Sequence, residues 1–378
     1  MKAADRPTLL FLVTEDWSFA SHRLELARTA VTEGYRVIVA TRERAHGQVL
    51  REAGCEVAPL EWSRGTGNAI GEMRFWLRLL RLYRKERPVA VHHVALKPVV
   101  YGSLAAMIAR VPVVVNAIAG LGYVFTNRNG SARILRPLLG IALRFVLNRR
   151  GSWAILQNPD DQALLSREAG LDPARVVMIR GAGVDLEEFE VTPEPDGRPV
   201  VALPARMLWD KGVGEFVDAA RKLRAEGCRA RFVLVGGLDS GNPRVIEQAV
   251  LDEWVTEGVV EWWGHCTPMS AVYRSVHVVA LPSYREGLPK ALLEAAASGR
   301  PIVTTDVPGC REVVVHGENG LVVPARAVGP LVEALRCLID DPELRASMGR
   351  LGRERAEQYF SVGEVVSRTL PLYLRGPE

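Results

Sequence analysis

The feature that most restricts what this chain can fold into is the regular return of short β-branched runs separated by helical stretches. Leu9–Val13, Arg36–Ala40, Val89–Val94, Val111–Val115, Trp153–Leu156 and Val176–Ile179 form one series. Val200–Leu203, Arg231–Val235, Val259–Trp262, Val276–Leu281, Ile302–Thr304 and Leu321–Val323 form a second. Alternating strand and helix predicts parallel sheet with crossover helices. Between the two series lies VTPEPDGRP, rich in proline and bearing Asp196-Gly197, which reads as a linker. The 378 residues are two to three times a usual domain of ~100–150. Two doubly wound α/β domains facing one another are therefore expected.

Ligands of such sheets bind beyond the carboxyl ends of the strands, so the loops after these runs are where chemistry is sought. PARMLWDKG follows Val200–Leu203 and places Arg206 and Lys211 in a strand-to-helix loop. A planar guanidinium and a mobile ammonium suit a diphosphate, and the helix opening near Val213 adds backbone N–H donors. Two solvated surface cations are the plainer reading. SYREGLPKALLEAAASGRP places Glu286 in the loop after Val276–Leu281 and Glu294 on the following helix, with Pro289 suited to its first turn. Two carboxylates at different depths can accept from two sets of hydroxyls, those of a sugar and those of a ribose.

Charge is unevenly divided. Residues 1–190 hold 26 Lys/Arg against 19 Asp/Glu, a net +7, and residues 191–378 hold 22 against 25, a net −3. From Arg87 to Pro159 there is no carboxylate, while Arg87, Lys97, Arg110, Arg128, Arg133, Arg136, Arg144, Arg149 and Arg150 are basic. Such a field favours an anionic partner, and no nucleic-acid motif accompanies it. MRFWLRLLRLYRKER and ARILRPLLGIALRFVLNRR combine apolar and Arg residues at helical spacing, which suits either a lipid interface or core-facing helices with solvated Arg. The best candidate for a membrane span, Pro137 to Leu147, is broken by Arg144. Five cysteines without a CxxC pair, and an N-terminal apolar run too short for a signal sequence, lead us to expect a cytosolic protein without disulfides or zinc. No Asp-x-Asp occurs, so no acidic handle for a diphosphate-bridging metal is expected.

Arg206 and Lys211, the Glu286/Glu294 pair, the Gly236-Gly237 turn after RFVLV, the Gly264-His265 step, PGCREVV and ENGLVVP together resemble the retaining family-4 glycosyltransferases. In the first half, SHRLELARTAVTEGYRVIVAT, LKPVVYGSLAA and NAIAGLGYVF resemble bacterial surface-glycan members. ARMLWDKGVGEF and VLVGGLDSGNP are similar to N-acetylgalactosaminyltransferases that extend a sugar on undecaprenyl diphosphate. The resemblance covers most of the chain. It implies the GT-B architecture, two facing Rossmann-like domains with a cleft between them. Residues 1–190 would bind the acceptor, 191–358 the nucleotide sugar, and 359–378 would form a helix returning to the first domain.

By the same resemblance, Arg206 and Lys211 hold the donor diphosphate and serve catalysis with Glu286, which holds the transferred hexose. Glu294 would hold the ribose, with Gly236, Gly264, His265, Gly287, Leu288 and Pro289 completing donor binding. Ser21, His22, His93, Lys97 and Asn116 are the candidates for the acceptor. Two departures stand out: WSFASHR offers Ser21 and His22 where many members have paired glycines, and NAIAGLG offers Asn116 and Gly120 where many have a histidine. The implied function is transfer of a hexosamine, GalNAc or GlcNAc, from a UDP-sugar to a lipid-linked saccharide in capsule or O-antigen biosynthesis. No metal or other cofactor is expected, and the basic helices would rest on the cytoplasmic face of the inner membrane. The alternatives are a nucleotide-sugar epimerase of the same architecture and a non-catalytic two-domain sugar-binding protein.

Overall fold

The structure, a computed structural model, describes residues 6–61, 69–118 and 130–374. The chain forms two compact units, Met1–Ala182 with Val362–Glu378, and Gly183–Ser361.

In the first unit the strands are β1 (Thr8–Glu15), β2 (Arg36–Arg42), β3 (Glu56–Pro59), β4 (Ala90–Val94), β5 (Val113–Ile118), β6 (Ser152–Leu156) and β7 (Val176–Met178). They form one parallel sheet in the order β3-β2-β1-β4-β5-β6-β7. The helices are α1 (Asp16–Thr32), α2 (Gly47–Glu52), α3 (Ala69–Glu86), α4 (Leu96–Ala109), α5 (Gly130–Leu147) and α6 (Pro159–Ala169). Because side chains alternate along a strand, the apolar runs feed two faces. Leu9, Phe11 and Val13 pack with Phe19 and Leu26 of α1, while Leu10 and Leu12 pack with Phe75 and Leu79 of α3. Val365, Val366, Leu372 and Tyr373 of the returning C-terminal segment join the α1 face.

The second unit has β8 (Val200–Pro204), β9 (Arg231–Val235), β10 (Glu261–Gly264), β11 (Val278–Leu281), β12 (Ile302–Thr305) and β13 (Gly320–Val323), parallel and ordered β10-β9-β8-β11-β12-β13. Its helices are α7 (Val213–Ala225), α8 (Gln248–Thr256), α9 (Met269–Arg274), α10 (Lys290–Ala297), α11 (Cys310–Val313), α12 (Val328–Asp340) and α13 (Pro342–Tyr359), and α14 (Val362–Thr369) lies on the first unit. One sheet face packs on α7 and α12, the other on α10 and α11.

The proline-rich stretch is not a free linker. Arg300 donates to Thr192 Oγ1 and the Pro193 carbonyl, and Arg345 grips Glu194 with two nitrogens, at 2.8 and 2.7 Å. Two buried guanidiniums thus fasten residues 192–194 to the second unit. The division falls earlier, at Ala182/Gly183, and the chain leaves again at Ser361. Val184 pairs with Ser361 and donates its N–H to the Phe360 carbonyl, so entry and exit lie side by side.

A candidate donor site on the second unit

Five consecutive loops are stitched together at the carboxyl edge of the second sheet. After β8, Ala205 N–H donates to the Val235 carbonyl and Met207 N–H to that of Gly237. Gly236 N–H in turn donates to the Gly264 carbonyl at 2.7 Å, tying in the loop after β10. Gly236 has φ +145°, and a Cβ there would sit 1.8 Å from the Ala205 carbonyl oxygen. Only glycine permits that approach. On the other side, Gly212 closes the Arg206–Lys211 loop at φ +72°, where a Cβ would meet the Pro282 carbonyl oxygen at 2.1 Å. Tyr284 N–H donates to the Asp210 carbonyl, and Thr305 Oγ1 to the Ser283 carbonyl. Gly309, φ +80°, packs on the Glu286-Gly287 backbone.

This stitching sets the charged groups. Lys211 Nζ donates to Glu286 Oε1 at 2.5 Å, and Ser283 Oγ donates to the same oxygen at 2.7 Å. Both charged side chains are largely shielded, at 20% and 10% exposure, so the pair is a strong local feature. Arg206 is half exposed and bonds Asp239 Oδ2 at 2.5 Å through one Nη. Its planar fork has further donors for an anion. Cys310, behind this loop, has its thiol pushed up to about 12 by burial and the nearby Glu286 carboxylate, which makes it an inert packing residue.

Glu294 is placed apart from the Lys211–Glu286 pair in its bonding. It is 6% exposed on α10, accepts from the Tyr273 hydroxyl at 3.0 Å and lies 3.3 Å from Lys290 Nζ. Burial raises its carboxyl above the ordinary range, against the pull of Lys290 and Tyr273. Pro289 stands immediately before α10 as its N-cap, and Leu288 packs on the neighbouring core. His265 is exposed, its Nε2 3.4 Å from Thr267 Oγ1, beside Gly237.

The first unit corrects two expectations about the acceptor. His93 and Asn116 are both 0% exposed and belong to one interior network. His93 Nε2 meets the Tyr83 hydroxyl at 3.0 Å, His93 Nδ1 meets Asn116 Oδ1 at 2.9 Å, and Asn116 Nδ2 donates to Ser152 Oγ at 3.0 Å. Burial drives His93 down to about 4. Strand alternation explains the placement: His92 points to the Tyr373 face and His93 to the α3 face, so each is covered by a packed layer. Lys97, on the first turn of α4, pairs with Glu72 at 2.9 Å. Ser21 and His22 lie on α1, which begins at Asp16 directly after β1 without a loop, and His22 Nδ1 meets the Ser18 carbonyl. Gly120, Arg128 and the Arg133 side chain lie outside the described residues.

Sequence reasoning did not single out Asp239, Ser283, Tyr273 or Gly309, although each lies in a quoted motif except Tyr273. Asp16 is a further residue the sequence did not point to. Its buried carboxylate accepts from the N–H groups of Trp17, Arg44 and His46, joining the start of α1 to the loop after β2.

A family model described as Glycosyl transferase 4-like matches residues 8–148, and one described as Glycosyl transferases group 1 matches 198–341. Over 97% of this chain and 98% of the relative, the sequence is 27% identical to an N,N'-diacetylbacillosaminyl-diphospho-undecaprenol alpha-1,3-N-acetylgalactosaminyltransferase of Campylobacter jejuni. It is 24% identical to the capsular polysaccharide biosynthesis glycosyltransferase CapM of Staphylococcus aureus, over 83% of this chain and 84% of the relative. The fold matches the crystal structure of HepE from Anabaena in complex with UDP and glucose, with a TM-score of 0.78, 19% identity and coverage of 96% and 98% of the two chains.

Proposed function

Since the chain belongs to the group 1, 4-like glycosyltransferases, we propose that it moves a hexosamine from a UDP-sugar to a saccharide carried on undecaprenyl diphosphate, in surface-glycan biosynthesis. The observation that carries the donor half is the Lys211–Glu286 bond together with the half-exposed Arg206 fork on the same loop as Lys211, at the carboxyl edge of a doubly wound sheet. The acceptor class rests on the likeness along nearly the whole of both chains to the Campylobacter transferase.

Arg206 and Lys211 supply positive charge where the leaving diphosphate accumulates negative charge, and Glu286 accepts from hydroxyls of the transferred sugar. Lys211 and Glu286 hold each other until a phosphate and a hydroxyl replace them as partners. Transfer proceeds with retention, the leaving phosphate oxygen taking the proton of the acceptor hydroxyl on the same face, so that no strong protein base is required. The two cations provide the stabilisation that a metal would otherwise give, and the reaction is metal-independent.

The protein rests on the membrane surface through its first unit. Ile70, Met73 and Leu77 of α3 are exposed at i, i+3, i+7 among exposed Arg74, Arg78 and Arg81. Leu138, Ile141 and Phe145 of α5 repeat that spacing at 61%, 67% and 60% exposure. Exposed apolar stripes flanked by arginine suit an anionic lipid interface. No described helix is long and apolar enough to cross a membrane.

The test is UDP release with UDP-GalNAc or UDP-GlcNAc and a polyisoprenyl-diphosphate saccharide, followed by the anomeric configuration of the product. Release that requires both substrates and yields the α-anomer is expected. Conversion of donor without acceptor would instead favour the epimerase, and binding without turnover the sugar-binding protein.

A further inference from the structure

Tyr273 on α9 is wholly buried, and its position is fixed at both ends. Arg300 Nε donates to its main-chain carbonyl at 2.8 Å, and its ring packs edge-on against Phe189 at 5.8 Å. Its hydroxyl lies 3.0 Å from both Glu294 Oε2 and the Ala291 carbonyl oxygen. One proton therefore faces two acceptors. When Glu294 is ionised the charge-assisted bond wins and the hydroxyl donates to the carboxylate. When Glu294 is protonated, its carboxyl donates to the hydroxyl oxygen, and the hydroxyl turns to Ala291. Both states are satisfied inside the protein, so neither leaves a buried polar group stranded.

We propose that Tyr273 is a positioning residue for donor binding: its hydroxyl holds Glu294 ionised as an acceptor for ribose hydroxyls, and so keeps the fall of donor affinity toward acid at lower pH than Glu294 would show without it. The proposal rests on the reading of Glu294 as the ribose ligand. The groups facing Glu294 are the Tyr273 hydroxyl from α9, Lys290 on its own helix and Glu188 from the segment after Asp185. Burial and Glu188 favour the neutral form, while Lys290 and Tyr273 favour the ionised one. Removing the hydroxyl deletes a group that favours ionisation, so the neutral form persists to higher pH.

Calorimetric titration with UDP between about pH 5.5 and about 8, on wild type, Tyr273→Phe and Glu294→Gln, tests this. The protonation of UDP itself is common to all three proteins. We expect wild-type affinity to fall toward acid, and Tyr273→Phe to bind about tenfold more weakly at neutral pH with its fall displaced upward. Glu294→Gln is expected to bind weakly with only the pH dependence of UDP. If Tyr273→Phe matches wild type while Glu294→Gln is weak, the positioning role is overturned and the ribose reading stands. An equal loss in Tyr273→Phe at every pH also overturns the proposal, since a structural role alone gives that result. If Glu294→Gln binds like wild type, the ribose reading fails and the proposal fails with it.

Discussion

Lys211 and Glu286 are 75 positions apart in the chain, yet they share a 2.5 Å bond because two loops after neighbouring strands are pressed together at Gly212 and Pro282. If the two cations stabilise the leaving diphosphate, Arg206→Ala or Lys211→Ala should lower turnover by roughly 10²–10³, the scale for one lost charge-stabilising donor. Initial rates of UDP release at saturating donor measure this, and near-normal rates in both variants would reject the assignment. A different outcome is expected at Gly236. With φ +145° and a Cβ that would lie 1.8 Å from a backbone oxygen, Gly236→Ala has no low-cost relaxation. A loss of about 3 kcal/mol or more in urea unfolding is expected, because backbone on both sides must shift. The residue types in these loops were readable from the sequence. Their partners were not, since Asp239 and Ser283 acquire meaning only when the loop after β8 meets the loops after β9 and β11.

The helices α3 and α5 carry the membrane proposal, and the structure redistributes its charges. Arg136 is paired with Glu168 and Arg149 is half buried on the Val111 carbonyl, so neither is available to lipid, whereas Arg144 is exposed. The 73-residue acid-free stretch thus finds a carboxylate just outside itself. The basic face is carried chiefly by exposed Arg74, Arg78, Arg81 and Arg84 of α3. Replacing these four with Gln should sharply reduce sedimentation with anionic liposomes at low salt, at ~1 kcal/mol per well-placed arginine, while leaving UDP binding unchanged. Ile141→Ser with Phe145→Ser should reduce the part of binding that survives high salt. Wild type that stays in the supernatant at low salt would make these helices scaffold. Of the thirteen strands among the described residues, twelve were legible as β-branched runs. The other, β3, was missed because Glu56–Pro59 is a short edge strand with a charge and a proline in place of an apolar run.

For the molecule as a whole, two conditions follow from its chemistry. EDTA should leave turnover intact if the two cations replace a metal, and complete loss restored by Mn²⁺ or Mg²⁺ would overturn that proposal. Acid should destabilise the first unit through His93, whose folded value of about 4 lies below its ordinary ~6.5. The sign follows directly: between those values the unfolded chain binds the proton and the folded one does not. Stability is therefore full above ~6.5 and is lost as pH falls toward about 4, by roughly 3 kcal/mol from this residue. Urea unfolding at several pH values measures the slope, and His93→Gln should flatten part of it; an unchanged slope would remove His93 as its source. By itself the sequence determined what is local or periodic: two series of buried parallel strands, their crossover helices, and the glycines and charged residues at the strand ends. These follow from side-chain alternation, turn chemistry and the rule that loops at the carboxyl edge are solvent-facing. The tertiary structure alone decided which of those polar residues face solvent and which are consumed inside. His93 and Asn116 were candidates for the acceptor and are a core network, and the proline-rich stretch looked like a linker and is held by Arg300 and Arg345. The physical reason is that a polar group's role is set by whether another chain segment, far away in sequence, arrives to satisfy it, and no local pattern encodes that arrival.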